Sequence, residues 1–508
     1  MNIADQIKSF AIISPDKTAI QTKKRKLTYQ ELDLSTNKVA HALLDQNRSK
    51  GCKLAIIMDN SIEFLQVFVG AAKAGWSAVP LDPKWSSREV ELVLEECAPE
   101  LIVTEEAYRG KLKTTIHRFH VQTIEIDRGQ EIKTSDKTLD NWTSDFPNTY
   151  PLDACQEDIL LIGFTSGTTG KPKGYLRSHL TWFESFYATN DEFNIGYHDR
   201  IIAPGPLVHS LSLYAAIHTL FIGAEFYLME KFEAGAFLDL LITESNLVVY
   251  MVPTMVQAVI EEQKKQNRTI YAPKAIISSG AKWSQESKLE VANYLYTTNI
   301  YEFYGSSEAS FITVLNPEGN KSKPDSVGRA FRHVEISIRN KDGYEVESGD
   351  IGKIFIKSNM IFSGYFKMDE ESKRVMHGEW LETGDYAKRD EDNFIFIVGR
   401  AKNMIISGGL NIYPEEIERV LNGLDEIDEA VIVGCPDQYW GEKPVAFIKW
   451  KAKQTLTLQE VKDYCSRYLA SFKKPREMIS VDSFPYTSSG KIARTQLIDK
   501  YWGSEIYE

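Results

Sequence analysis

The sequence predicts an α/β protein: a large N-terminal domain of layered α/β sheets that ends in a β-rich subdomain, followed by a smaller C-terminal α+β domain. Three observations predict it. From Leu54 onward, strand-like apolar runs alternate with helical periods, as in parallel strands joined by helices. The apolar run Ile159 to Phe164 empties abruptly into a stretch rich in Gly, Thr and Lys. Beyond about Ser326 the composition turns to short strands, with Lys341-Asp342-Gly343 and Glu347-Ser348-Gly349-Asp350 as turn signals. A chain of 508 residues has room for more than one domain with sizeable cores.

In chain order, the KKRK run at Lys23 to Lys26 reads as the solvated turn of a hairpin, with a localisation signal as the alternative. Leu54 to Met58 reads as a strand, Ile62 through Val69 as a helix, Ala78 to Leu81 as a strand, Ser87 to Cys97 as a helix and Leu101 to Thr104 as a strand. Residues from about Gly110 to Cys155 carry little signal and read as a variable connection. Ser178 is placed to cap a helix through Trp182, Phe183 and Phe186. Strands follow at Ile201–Ala203, Val248–Val252, Ala275–Ser278 and Ile300–Tyr304. Near the C-terminus the pattern gives a helix at Pro414–Leu421, strands at Ala430–Gly434 and Val445–Trp450, a helix at Leu458–Leu469 and a last helix after Gly490. Pro414 suits a first helical turn. These signals give a β-rich subdomain from about Ser326 to Val398 and a separate unit over the last hundred or so residues.

The net charge of −12 argues against general nucleic-acid binding, which usually leaves a basic footprint. Five cysteines without a CxxC pair suggest a reducing compartment and no zinc site. The N-terminus MNIADQIKSF lacks an apolar signal core, and the longest apolar stretch, Leu247 to Ile260, is broken by Pro253, Thr254 and Gln257. A cytoplasmic protein without a transmembrane segment is expected.

The stretch after Phe164 reads Thr165-Ser166-Gly167-Thr168-Thr169-Gly170-Lys171-Pro172-Lys173-Gly174. Glycines let the backbone turn its N–H groups inward, the hydroxyls donate to phosphate oxygens, and the lysines supply charge. It is not the common P-loop, because Thr165 stands where that pattern needs Gly and Pro172 follows Lys171. The stretch resembles the signature loop of the adenylate-forming superfamily of acyl-CoA synthetases, aryl-CoA ligases, peptide-synthetase adenylation domains and luciferases. The resemblance extends from Leu27 to Arg494 with motifs in the family's order. Leu27-Thr28-Tyr29-Gln30-Glu31-Leu32 and the segment from Ala71 to Pro83 match early scaffold motifs.

What the resemblance implies about the site is as follows. Thr165 through Lys171 hold the pyrophosphate end of ATP. Tyr304-Gly305-Ser306-Ser307-Glu308 closes a predicted strand, where α/β folds place ligand contacts; Tyr304 lies beside the adenine, Ser307 near the α-phosphate, and Glu308 binds Mg²⁺. The family more often has threonine at the place of Ser307. Ser279, Gly280 and Ala281 pack between adenine and the acyl pocket, or form a plain strand-to-helix turn. Asp385 of Thr383-Gly384-Asp385 takes the ribose hydroxyls as a bidentate acceptor, although a TGD tripeptide is also a common turn. Arg400 contacts ribose or phosphate, and Lys402 is the hinge of a mobile C-terminal domain, with Asn403 replacing the family's usual aspartate; the resemblance thus implies domains at 1–401, with the β-rich subdomain at about 326–401, and 402–508. Lys491, in Ser489-Gly490-Lys491-Ile492-Ala493-Arg494, is the catalytic lysine, an ammonium placed between two anions.

On the acyl side, Pro206-Leu207-Val208-His209-Ser210 resembles the PxxH segment of acyl- and aryl-CoA ligases. His209, Trp182 and Pro253 are pocket candidates, with simple core packing as the alternative. Gly408 and Gly409 would let the backbone pass close to pantetheine, and Lys473 and Lys474 would meet CoA phosphates unless they are a solvated face. The implied activity is AMP-forming: an apolar acid such as a fatty acid is activated with ATP and Mg²⁺, then transferred to CoA. An acyl carrier protein is the alternative acceptor, an aryl acid the alternative substrate, a non-catalytic nucleotide sensor the remote reading, and a homodimer remains open. The active site is expected between the two domains.

Overall fold

The computed structural model describes residues 2–45, 51–127, 138–151, 155–165, 173–280, 283, 285–407, 410–437, 440–451, 455–486 and 492–502. Packing divides the chain into two compact units, Met1–Glu335 with Lys357–Glu379, and Ile336–Ile356 with Trp380–Glu508.

The first unit is built on two sheets. A six-stranded sheet runs in the order Gln122–Ile126, Leu101–Glu105, Lys53–Ile57, Ser77–Pro80, Ile159–Thr165, Lys173–Ser178, all parallel except the last pair. A nine-stranded sheet has a parallel centre, with Asn299–Ser306, Ala275–Ser278, Leu247–Met251, Arg200–Ile202 and Glu225–Tyr227 as successive neighbours. The central strands are buried along their length, as in Leu247–Met251, because helices cover parallel sheets on both faces. The helix Ser87–Cys97 begins at a capping box in which Ser86 and Glu89 satisfy each other's backbone N–H groups. Ser178 does cap the helix His179–Phe193, its side chain accepting from Thr181 N. The KKRK run connects the antiparallel strands Thr18–Gln21 and Lys26–Thr28, as a hairpin turn would.

The stretch from Gly110 to Cys155 is more structured than its sequence signals. It contains the helix Arg109–Phe119, the strand Gln122–Ile126 and the short helix Leu139–Thr143. The strand is an edge strand and only Ile126 in it is fully buried, so it lacks the apolar run that marks a central strand.

In the second unit, Gly352–Lys357 pairs with Trp380–Arg389, which pairs in turn with Ile395–Arg400. Further along, Ile427–Asp437 and Gly441–Trp450 form a long antiparallel pair, with Glu477–Ser480 added in parallel. The helices Pro414–Leu421 and Leu458–Cys465 bury Ile417, Leu421, Val461 and Cys465 in one core with strand residues Ile432, Ala446 and Ile448. The second of these helices is shorter than the sequence suggests. Among the described residues no helix is long and apolar enough to cross a membrane.

Candidate active site

The Gly-, Thr- and Lys-rich stretch joins two paired strands. Phe164 stands opposite Gly174 and Thr165 opposite Lys173, so the segment between them is the connection of an antiparallel hairpin at the sheet edge. Ser166, Gly167, Thr168, Thr169, Gly170 and Lys171 lie outside the described residues. On its return side, Lys173 Nζ is 2.7 Å from Glu371 Oε1 and 3.5 Å above the Tyr365 ring centroid. The lysine holds the Glu371 carboxyl below its ordinary value.

The Tyr304–Glu308 motif forms the end of a second hairpin. Asn299–Ser306 pairs with Ser310–Leu315, Ser306 opposite Ser310, which leaves Ser307, Glu308 and Ala309 as a three-residue turn. Ser310 takes the left-handed conformation, φ +60°, the usual way such a loop closes. Gly305 is required here: a Cβ on it would stand 2.0 Å from the Ser310 carbonyl oxygen. Half-buried Tyr304 precedes the turn, opposite Thr313.

Glu308 is fixed at both its backbone and its side chain. Its carbonyl accepts from Phe362 N at 2.7 Å and from Arg177 Nη1 at 3.4 Å, and its Oε1 accepts from the Tyr365 hydroxyl at 3.0 Å. Burial, together with the negative field of Glu308, raises the Tyr365 phenol, which therefore stays a donor at neutral pH. Arg177 is almost fully buried, and burial lowers its guanidinium to about 10, leaving it charged at neutral pH. Ser306 ends the strand and Ser307 immediately precedes Glu308 in this turn.

Nearby strand ends carry the acyl-side candidates. The loop before His209 is held by buried Asn60, whose Oδ1 accepts from Leu207 N at 2.7 Å and whose Nδ2 donates to the Gly205 carbonyl at 2.9 Å. His209 precedes the helix Ser210–Phe221; its Nε2 is 3.6 Å from Asp82 Oδ2. Burial lowers its imidazole although Asp82 opposes that shift. Pro253 starts the helix Pro253–Gln266 at the end of a buried strand. Ser279 is half-buried, Gly280 is exposed with φ +95°, and Ala281 lies outside the described residues. The positive φ is what a strand-to-helix turn takes glycine for. Trp182 is buried among rings, centroids 5.8 Å from Phe186, 5.9 Å from Tyr214 and 6.2 Å from Phe68.

In the second unit, Thr383-Gly384-Asp385 sits inside the strand Trp380–Arg389, not in a turn between strands. Gly384 has φ +76°, a local kink that sets the following residue. Asp385 is buried and faces Arg400 on the paired strand, Nε 3.2 Å from Oδ1. Exposed Lys402 lies in the short turn Ala401–Asn403, and Asn403 Nδ2 donates to Glu415 Oε1 at 2.8 Å. Lys473 is engaged with Glu416 at 2.6 Å, while neighbouring Lys474 follows the short turn Ser471–Lys473. Gly408, Gly409 and Lys491 lie outside the described residues. The flanks of Lys491 are anchored: Tyr486 bridges to Ile492, the Tyr486 hydroxyl donates to Glu429 at 2.5 Å, and Arg494 pairs with Glu418 at 2.5 Å.

No group of three or more His, Cys, Asp or Glu that could hold a metal occurs among the described residues. A single fixed carboxylate is nevertheless the donor set expected for Mg²⁺ that arrives with ATP, since Mg²⁺ is usually bound by one or two carboxylates plus substrate phosphates. Glu308 fits that role. Sequence reasoning missed Tyr365, Tyr175 and Arg177. Tyr365 is 57 residues from Glu308, and nothing local distinguishes it from the strand-and-turn composition around it.

Comparison with known proteins agrees with this frame. Residues 10–366 match the AMP-binding enzyme family and residues 416–491 its C-terminal domain. The chain is similar to YhfT of Bacillus subtilis, described as an uncharacterized acyl–CoA ligase, at 40% identity over 99% of both chains. It is similar to VraA of Staphylococcus haemolyticus, a putative long chain fatty acid–CoA ligase, at 33% identity over 99% of this chain and 98% of the relative. The ATP-bound MatB structure from Rhodopseudomonas palustris superimposes with a TM-score of 0.88 over the full length of both chains, at 25% identity. With both family domains matched in order, the chain belongs to the AMP-binding enzyme family, within the adenylate-forming superfamily of AMP-forming acyl-CoA ligases.

Proposed function

We propose that this protein activates an apolar carboxylic acid, in the first place a fatty acid, and transfers the acyl group to CoA. In the first step a carboxylate oxygen attacks the α-phosphorus of ATP; the bond from that phosphorus to the β-phosphate's bridging oxygen breaks and pyrophosphate leaves. In the second, the thiol sulfur of CoA attacks the acyl carbon and AMP departs with the former carboxylate oxygen. Bound Mg²⁺ would neutralise phosphate charge, held on the protein side by Glu308. Thr165 to Lys171 would hold the pyrophosphate end, Tyr304, Gly280 and Ala281 the adenine, and Ser307 the α-phosphate. Asp385 would accept the ribose hydroxyls, with Arg400 beside it. Lys491 would serve adenylation, while Gly408, Gly409, Lys473 and Lys474 would serve CoA. His209, Ser279, Pro253 and Trp182 would line the acyl side. Such a site works by positioning and electrostatics, with no nucleophilic side chain.

The observation that carries this reading is the Ser307–Glu308 turn, pinned by Arg177 and Tyr365 in the same unit as the hairpin of the phosphate loop. A functional boundary at residues 401/402, distinct from the packing division, is favoured by exposed Lys402 in the short turn Ala401–Asn403 between two strands. Lys402 would then change backbone conformation between the half-reactions. Among the described residues none of the five cysteines forms a disulfide, which favours the cytoplasm.

The test is product analysis with ATP, Mg²⁺ and a panel of fatty, aryl and amino acids, with and without CoA. AMP and acyl-CoA with fatty acids are expected. Turnover confined to aryl acids would replace the substrate class, acyl-AMP that CoA does not discharge would point to a carrier protein, and no turnover with any acid would refute the ligase reading.

A further inference from the structure

Tyr175 and Arg177 stand two residues apart on the strand Lys173–Ser178 and so share one face. Both are buried, and both reach the second hairpin or its surroundings. The Tyr175 hydroxyl is 2.9 Å from Ser210 Oγ; burial raises its phenol, and Ser210 and Ser307 oppose that rise. Arg177 donates through Nη1 to the Glu308 carbonyl at 3.4 Å and through Nη2 to Ser310 Oγ. It thus spans the turn from Glu308 to the left-handed Ser310. Space for the Tyr175 ring comes from the paired strand: a Cβ on Gly163 would lie 2.2 Å from Tyr175 Cζ.

This is a costly way to fill a sheet face. A buried guanidinium needs compensation, and among the described residues no carboxylate lies within ion-pair distance of Arg177; it donates to a carbonyl and a hydroxyl, with the Glu308 charge acting at longer range. An aliphatic residue would pack a strand face without that penalty. What the pair provides instead is a polar link between two hairpins that belong to different sheets, one leaving the phosphate loop and one carrying Ser307 and Glu308.

We propose that Tyr175 and Arg177 are positioning residues that tie the Ser307–Glu308 turn to the strand returning from the phosphate loop, so that the α-phosphate hydroxyl and the magnesium carboxylate are set relative to that loop. The inference rests on the nucleotide-activating reading of this site. Neither residue touches substrate; each acts through the turn.

The test uses full-length Tyr175→Phe, Arg177→Gln and Arg177→Lys. ATP binding is measured calorimetrically in Mg²⁺ and in EDTA, acid-dependent ATP–pyrophosphate exchange is measured across Mg²⁺, ATP and acid concentrations, and melting is followed in parallel. Arg177→Gln is expected to lower the exchange rate roughly 10- to 100-fold and to raise the half-saturating Mg²⁺ concentration, the range typical when a partner of a metal ligand is lost. The KM for the acid and the ATP affinity in EDTA should stay unchanged. Tyr175→Phe, which keeps the ring over Gly163, should show the same pattern more weakly, and Arg177→Lys should recover only part of the rate because an ammonium lacks the two-pronged fork. A lower melting temperature with unchanged Mg²⁺ response and exchange rate would reduce the pair to packing and overturn the proposal. A changed KM for the acid alone would make them acid-pocket residues and overturn it too. Wild-type protein that binds no ATP would refute the nucleotide reading itself, an outcome separate from variants that match an active wild type.

Discussion

Glu308 in the first unit and Asp385 in the second are both carboxylates on antiparallel frames, but their surroundings differ in charge. Glu308 accepts from a neutral phenol, and the arginine nearest to it contacts its backbone carbonyl, not its carboxylate. Asp385 is buried with the Arg400 guanidinium on its Oδ1, and that arginine is itself about half exposed. A neutral phenol orients the Glu308 carboxylate without forming an ion pair with it, and the Arg177 charge reaches it only at longer range, which suits a cation-binding group. An arginine partner beside a buried carboxylate offsets its charge, which suits accepting neutral hydroxyls. The difference between the two pairs therefore predicts a cation at one and a sugar at the other.

The largest effect should come from outside either pair. Lys491→Ala is expected to slow adenylation roughly 10²- to 10³-fold, the scale on which one preorganised electrostatic contact to a transition state counts, yet to spare thioester formation from supplied acyl-AMP. Equal loss of both half-reactions would deny the lysine a step-specific role. Next comes Glu308→Gln, which keeps an acceptor for the Tyr365 hydroxyl and removes only the charge. It should depress Mg²⁺-dependent exchange by about 10²-fold with little change in melting temperature. Asp385→Asn should act differently: a KM for ATP raised about tenfold, corresponding to about 1.4 kcal/mol, with a smaller change in kcat. If the two amide variants gave the same profile, the assignment of cation to one carboxylate and ribose to the other would fall.

Much of the frame was legible because it is written in local patterns. The helix Ser87–Cys97, the strand Ala275–Ser278 and the helix Pro414–Leu421 begin and end where their apolar periods, caps and prolines put them. The motif residues were legible too, since Gly305 and Gly384 are demanded by a close approach and a positive φ within the same few residues. What was not legible depends on distance along the chain. Arg177 and Glu308 are 131 residues apart, and Asn60 steadies a loop about 147 residues away; no local period encodes such pairs. The edge strand Gln122–Ile126 escaped for another reason: its exposure erases the apolar signature that marked its neighbours.

The smallest expected effect separates the two units by their response to acid. All nine histidines fall within the first unit, and one of them, His218, is buried among aromatic rings with Nε2 2.7 Å from Asn190 Oδ1. Burial lowers its imidazole from 6.5 to about 3. The folded state thus refuses a proton that the unfolded chain accepts, so its contribution is complete above pH 6.5 and drains away as pH falls from there towards 3. At pH 5 the loss amounts to about 2 kcal/mol. Glu418 in the second unit has the opposite sign: burial raises its carboxyl despite Arg494, so its contribution is complete below the ordinary value of 4.5 and is lost as pH rises through the folded value. His218→Gln, which can keep the contact to Asn190, should leave melting at pH 7 nearly unchanged and flatten the decline of the first unit between pH 6.5 and 5, read as the separation of two calorimetric transitions in the full-length protein. A variant that declines as steeply as wild type would mean that His218 is not what makes the first unit acid-sensitive, and the contrast between the units would then have to be sought among their carboxylates.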